Sequence, residues 1–157
     1  MTPFEVFDWL ELTWIGEAMR GSIWLFPAIE AVHLLALAMI GGALLVVDLR
    51  LLGVGLREQP LSSVARNAHP WLVASLLAMI ATGVPLFLSE AVKCYFSPSF
   101  WVKMIALVVA TVFAFTVRRW VTTGRWATGV AVQKLTGATS LSLWLVVAAA
   151  GRWIGFS

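Results

Sequence analysis

The chain has 157 residues, of which 61% are hydrophobic and only 12% charged, against about a quarter charged in a soluble domain; with a mean hydropathy of +0.91, this excludes water as the main solvent of its surface. The net charge of +3 does not indicate nucleic acid, because the basic residues sort by loop instead of gathering in one patch. The single cysteine, Cys94, excludes an intramolecular disulfide and a cysteine metal cluster.

The amino-terminal segment, residues 1–22, opens with Thr2, Pro3, Phe4 and Glu5, which is a hydroxyl N-cap, a proline at the first helical position and a carboxylate three residues after the cap. Phe4, Phe7, Leu10, Trp14 and Ala18 then recur at three- and four-residue spacing, with Glu5, Asp8 and Glu11 off that stripe, so one amphipathic helix is expected as far as Gly21 and Ser22. Its acids face a single basic residue, Arg20, unlike the basic start of a secretory signal, and no cleaved signal is read here. That acidity also argues against anionic lipid as its partner. It is expected on the outer face of the membrane, packed on its own bundle or on a partner membrane subunit.

Residues 23–157 read as a four-transmembrane-helix bundle, with spans near 25–48, 68–90, 99–121 and 135–156, each long enough for a hydrocarbon core that takes about 20 apolar residues. The fold class is therefore an all-α membrane protein in a lipid bilayer. Arg50, Arg57 and Arg66 lie in one loop and Arg118, Arg119, Arg125 and Lys134 in another, so seven of the eleven Lys and Arg fall on one side. By the positive-inside bias that side is cytoplasmic and both termini are periplasmic. Aromatic anchoring agrees: Trp24, Trp101 and Trp153 mark the outer level, and Trp71, Trp120 and Trp126 the inner.

Within the first span, Glu30, His33, Leu37, Gly41, Leu44 and Asp48 succeed one another by three or four residues and share one helix face. An ionisable side chain facing lipid is expensive, so this face is expected to turn inward, with Gly41 admitting a neighbouring helix. Gly83 and Pro85 should bend the second span, whose Ser75, Met79, Thr82 and Leu86 share a face. Lys103, Leu107, Ala114 and Arg118 run along the third span, and Thr136, Ser140, Trp144, Val147 and Gly151 along the fourth.

His33 falls about eight residues, or roughly 12 Å, below the outer boundary. Glu30, Glu90, Lys103 and Arg152, with Thr82, are expected to form a polar cluster around it. A neutral imidazole there suits a metal or a haem iron, and a quinone-contacting or proton-handling histidine, or a cluster that merely fixes helix register, stays open beside it. His69, before Pro70, is expected at the inner mouth of the second span, capping that helix, too far from His33 for one iron to bridge them. Asp48, Arg50 and Arg118 are expected to clamp the inner end. Met39, Met79 and Met104 could offer sulfur to Cu(I) but are read as packing. No nucleophile with an adjacent base, no glycine-rich phosphate loop and no paired acids in a cleft are found, so an independent enzyme is not expected.

The run from His33 through Gly41, Gly42 and Asp48-Leu-Arg50-Leu-Leu-Gly53, followed by Thr82-Gly83 and Phe100-Trp-Val-Lys103, resembles a family of short uncharacterised four-helix bacterial membrane proteins, itself similar to the membrane domain of the copper-resistance D type. That resemblance implies copper handling in the cell envelope, or at least a metal site, carried by His33; the bacterial inner membrane is the expected location. The alternatives are a small haem- or quinone-contacting electron-transfer subunit of a respiratory or photosynthetic complex, with haem b as cofactor, and a purely structural accessory subunit.

Overall fold

The computed structural model describes residues 2–124 and 129–155; Arg125 and Trp126, assigned above to the inner loop, lie outside them. Every regular element among the described residues is helical. Two short helices, α1 (Pro3–Glu11) and α2 (Trp14–Gly21), precede the long α3 (Leu25–Leu52) and α4 (Leu61–Ser89). A short α5 (Ala91–Phe96) leads into α6 (Pro98–Phe113), which continues through a π-helical turn (Ala114–Arg118) into α7 (Arg119–Thr122); α8 (Val130–Ile154) ends the bundle. The four long helical runs Leu25–Leu52, Leu61–Ser89, Pro98–Thr122 and Val130–Ile154 are all long and apolar enough to span a membrane. Their outward faces carry exposed aliphatic residues such as Leu35 at 63% and Leu145 at 70%, a surface that water would not tolerate and lipid would.

The amino-terminal stretch is two helices, not the single one its spacing suggests. α1 starts on a capping box, in which the Thr2 hydroxyl accepts from Glu5 N and the Glu5 carboxylate accepts from Thr2 N. It stops where Thr13 adopts extended backbone (φ −66°, ψ 153°) as the cap residue of α2. Phe4 and Phe7 pack on Tyr95, Phe96, Phe87 and Trp101, which fastens α1 over α5 and the adjoining ends of α4 and α6. Glu11 accepts from the backbone N–H of Val92 at 2.7 Å, while Arg20 donates to the carbonyls of Glu11 and Ser89. Gly16 permits this closeness: a Cβ there would lie 2.6 Å from the Leu88 carbonyl oxygen.

α4 begins at Leu61, not near 68, so Pro70 stands inside the helix. His69 is consequently a residue of the helix body, and the expectation that it caps the helix is corrected. In the bundle α3 packs along α4 and α8, and α6 along α8, giving the order α4, α3, α8, α6. The seam between α4 and the third span closes largely at its ends, where Phe87 stacks on Phe100 at 5.5 Å and α7 meets α4. One buried cluster, Ile40, Leu44, Leu72, Ala110, Trp144 and Val147, fills the middle, and Val47, Leu51, Val64 and Val121 fill the end bearing the arginines.

The buried line of α3 is Ala36, Ile40, Leu44, Val47, Asp48 and Leu51, so only Leu44 and Asp48 of the expected polar face lie fully inside. Gly41 and Gly42 are exposed, and a Cβ at either meets nothing within 4 Å. The close helix approach is made instead by Gly137 of α8, whose Cβ would lie 3.0 Å from the Asp48 carbonyl oxygen and from Leu51 Cβ.

Candidate functional site

His33 is half-buried on α3 and turned against α4, its Nδ1 lying 2.7 Å from Thr82 Oγ1. The Thr82 hydroxyl has one proton, and Ala78 O, one turn back on its own helix, lies 2.7 Å away as an acceptor for it. With the proton on that side, Thr82 accepts from the imidazole and His33 Nδ1 donates. In the neutral ring this leaves the lone pair on Nε2. A fixed Nδ1–H donor with an unprotonated Nε2 is the arrangement that prepares a histidine to ligate a metal, because the hydrogen bond sets tautomer and ring orientation together. Gly83 makes room for the ring: a Cβ at that position would lie 3.3 Å from His33 Cε1.

The wider polar cluster assembles only in part. Lys103 of α6 lies over Gly151 of α8, whose Cβ would be 3.6 Å from Lys103 Nζ, and is within electrostatic reach of His33. Among the described residues no carboxylate comes within ion-pair distance of Lys103. Glu30 is exposed on α3 and does not enter the site. One turn from the helix end, its side chain reaches the headgroup level more cheaply than the bundle interior. Glu90 sits at the end of α4 and pairs with Lys93 at 3.9 Å, both side chains being well exposed. Arg152 is exposed in the last turn of α8. The expected pocket of two acids, two bases and an imidazole is thus reduced to His33, Thr82 and Lys103.

Towards the other end of the bundle, Asp48 is completely buried and its two carboxylate oxygens are both occupied. Arg118 Nε donates to Oδ1 at 2.7 Å and Ser140 Oγ donates to Oδ2 at 2.6 Å, while Arg118 Nη2 donates to Leu44 O at 3.3 Å. Arg50, expected as a third member, instead donates to Gln59 O at 2.8 Å and holds the α3–α4 loop. The sequence places Ser140 on one face of the fourth span with Thr136 and Trp144 but does not join it to Asp48; its hydroxyl, one turn from each of those residues, is the available signal. The π turn aims the arginine. More residues per revolution make the step from Ala114 to Arg118 fall short of the advance an α-helix would give, and these two are the buried residues of the turn.

His69 and His33 belong to different levels. His33 is eight residues from the start of α3 and His69 twenty from the end of α4, a difference of about 18 Å along the bundle at helical rise. His69 lies edge-on to Phe115, with ring centroids 6.1 Å apart. Met79 is buried whereas Met39 and Met104 are exposed, so the three sulfurs face different surroundings. Among the described residues no group of three His, Cys, Asp or Glu side chains could hold a metal ion. Cys94 is buried in α5, and its thiol is pushed up to about 11, first by burial and then by the charge of Glu90.

Fold and site together define a small multi-pass helical membrane protein with one oriented histidine inside the bundle. Over residues 4–157 the chain matches a family of unknown function (DUF6644), and it belongs to that family. No curated protein and no solved structure matches it.

Proposed function

We propose that this chain is an inner-membrane protein that presents His33 as the single protein ligand of a metal-bearing cofactor, and that a b-type haem is the cofactor its donor set fits best. The observation that carries this reading is the 2.7 Å hydrogen bond between His33 Nδ1 and Thr82 Oγ1, a hydroxyl that has Ala78 O at 2.7 Å as an acceptor for its own proton. A bare metal ion needs three or four protein donors, and a single imidazole cannot supply them. A haem iron would bring most of its donors with it and would need an imidazole from the protein, which His33 could supply. Lys103, without a carboxylate partner among the described residues, offers a positive charge to an anionic group of the bound molecule, such as a propionate. Electron transfer is the role that follows, with the basic loops on the cytoplasmic side and both termini periplasmic.

Copper handling, implied by the resemblance to the copper-resistance D membrane domain, would use the same Nε2 but would draw its remaining donors from another molecule. Visible spectra and metal analysis of the purified protein, with and without His33→Ala, test both. A Soret band lost in the variant is the expected result. Stoichiometric copper without a Soret band would replace haem by copper. A colourless, metal-free protein unaffected by the substitution would overturn the proposal and leave an accessory structural role, for which co-purification of a partner lost on deleting residues 1–20 would speak.

A further inference from the structure

The strongest unassigned feature is a cavity of about 330 Å³ between α3, α4 and the π turn with α7. It is independent of His33 and lies towards the opposite end of the bundle. Arg66, His69, Arg119 and Thr122 line it together with Leu72 and Phe115, and none of its lining residues is an acid. Arg118 also borders it, but that charge is answered by Asp48. Arg66 and Arg119 have no ion-pair partner among the described residues, so the cavity keeps two uncompensated positive charges. The lining is graded along the bundle axis: Phe115 and Leu72 lie four and six residues deeper than Arg119 and Arg66 on their helices, or about 6–9 Å at helical rise. Charge at the mouth and apolar surface beneath it match a molecule with an anionic head and a hydrocarbon tail. The cavity also lies on the loosely closed seam between α4 and the third span, through which an acyl chain can reach the surrounding lipid.

We infer that this cavity binds a phosphate-bearing anion, supplied as the headgroup of an anionic phospholipid whose acyl chain follows the α4–α6 seam. Basic pockets between transmembrane helices recognise lipid headgroups through charge-assisted hydrogen bonds to phosphate, and arginine suits that geometry better than lysine. The test uses the full-length protein in detergent, titrated with phosphatidylglycerol, with zwitterionic phosphatidylcholine, or with millimolar inorganic phosphate, and read by native mass spectrometry and thermal unfolding. Wild type should retain phosphatidylglycerol in preference to phosphatidylcholine. The exposed pair Arg66→Gln and Arg119→Gln should together weaken that binding by about thirtyfold, about fivefold for each charge removed. Arg57→Gln, in the α3–α4 loop and outside the cavity, should bind as wild type does. Equal retention by the double variant, or an equal loss with Arg57→Gln, would overturn the inference. Protection by inorganic phosphate as strong as that by lipid would overturn the lipid source and assign the cavity to free phosphate.

Discussion

Arg118 and Asp48, seventy residues apart in the chain, meet through a 2.7 Å hydrogen bond between Nε and Oδ1 with both side chains buried. The pair joins the end of α3 to the π turn, and Ser140 brings α8 to the second carboxylate oxygen. Three of the four spans are therefore referenced to one carboxylate. Buried ion pairs contribute little net stability compared with apolar replacements, yet they penalise the loss of one partner, because the survivor is left charged and unpaired. Their value lies in fixing register.

Asp48→Leu should accordingly destabilise the bundle by about 3–5 kcal/mol, and Arg118→Met should do the same. The double variant should recover much of the loss, since it buries no unpaired charge. Equilibrium unfolding in mixed micelles measures all three proteins. Simple additivity of the two single losses would show that the side chains are not coupled.

Gly137 and Gly41 should respond oppositely to alanine. At Gly137 the added methyl would press on the Asp48 carbonyl oxygen and Leu51 Cβ at 3.0 Å, and forced separation of packed helices costs about 1–3 kcal/mol. At Gly41 the methyl meets open space, and removing a helix-interior glycine should be neutral or stabilising by up to about 1 kcal/mol. Thermal unfolding of the two variants in one detergent decides it; matching losses would refute the packing described.

The contrast shows what the sequence could carry. Hydropathy and length announce four spans, because apolar composition over some 25 residues is a property of each helix alone. Asp48 and Arg118 could be paired in advance because a charge in oil needs an opposite charge at the same depth, and depth is read by counting. Rotation was harder. Phasing by i, i+4 steps put Gly41 and Glu30 inward with His33, but a helix hydrophobic nearly all round gives no vector to choose the inward side. The π turn also changes phase locally without a distinctive residue signal. The cavity beside Arg66 and Arg119 was invisible for a third reason. It arises where two helices fail to pack closely, which is a relation between elements and not a pattern in either.

Thr82→Val should separate an oriented histidine from one that is merely packed. Valine keeps the volume of threonine and removes the oxygen that is hydrogen-bonded to His33 Nδ1. Removal of a hydrogen-bond partner behind a metal-ligating histidine costs about 10- to 100-fold in cofactor affinity. The bound fraction and the position of any visible band should both change, whereas Thr82→Ser, which keeps the hydroxyl, should restore them. Unfolding measured alongside should show only a modest change for Thr82→Val. A cofactor spectrum identical in wild type and Thr82→Val would show that Thr82 does not govern the site.

Cys94 supplies a pH-dependent test of the way α1 and α5 close the end of the bundle. Its thiol is raised from an ordinary 9.0 to about 11, chiefly by burial, so the folded protein holds this proton more tightly than the unfolded chain does. The contribution to stability is fully present below about pH 9 and is lost as pH rises towards about 11, because the unfolded thiol ionises first. Subtracting the unfolding free energy of Cys94→Ala from that of wild type at each pH isolates this contribution from every other; the difference should fall across the window. Near pH 8 the native thiol should also alkylate about a hundredfold more slowly than a thiol of ordinary acidity, since two units separate their thiolate fractions. Rapid modification of native Cys94 at that pH, or a flat difference curve, would mean that α1 does not cover α5 as described.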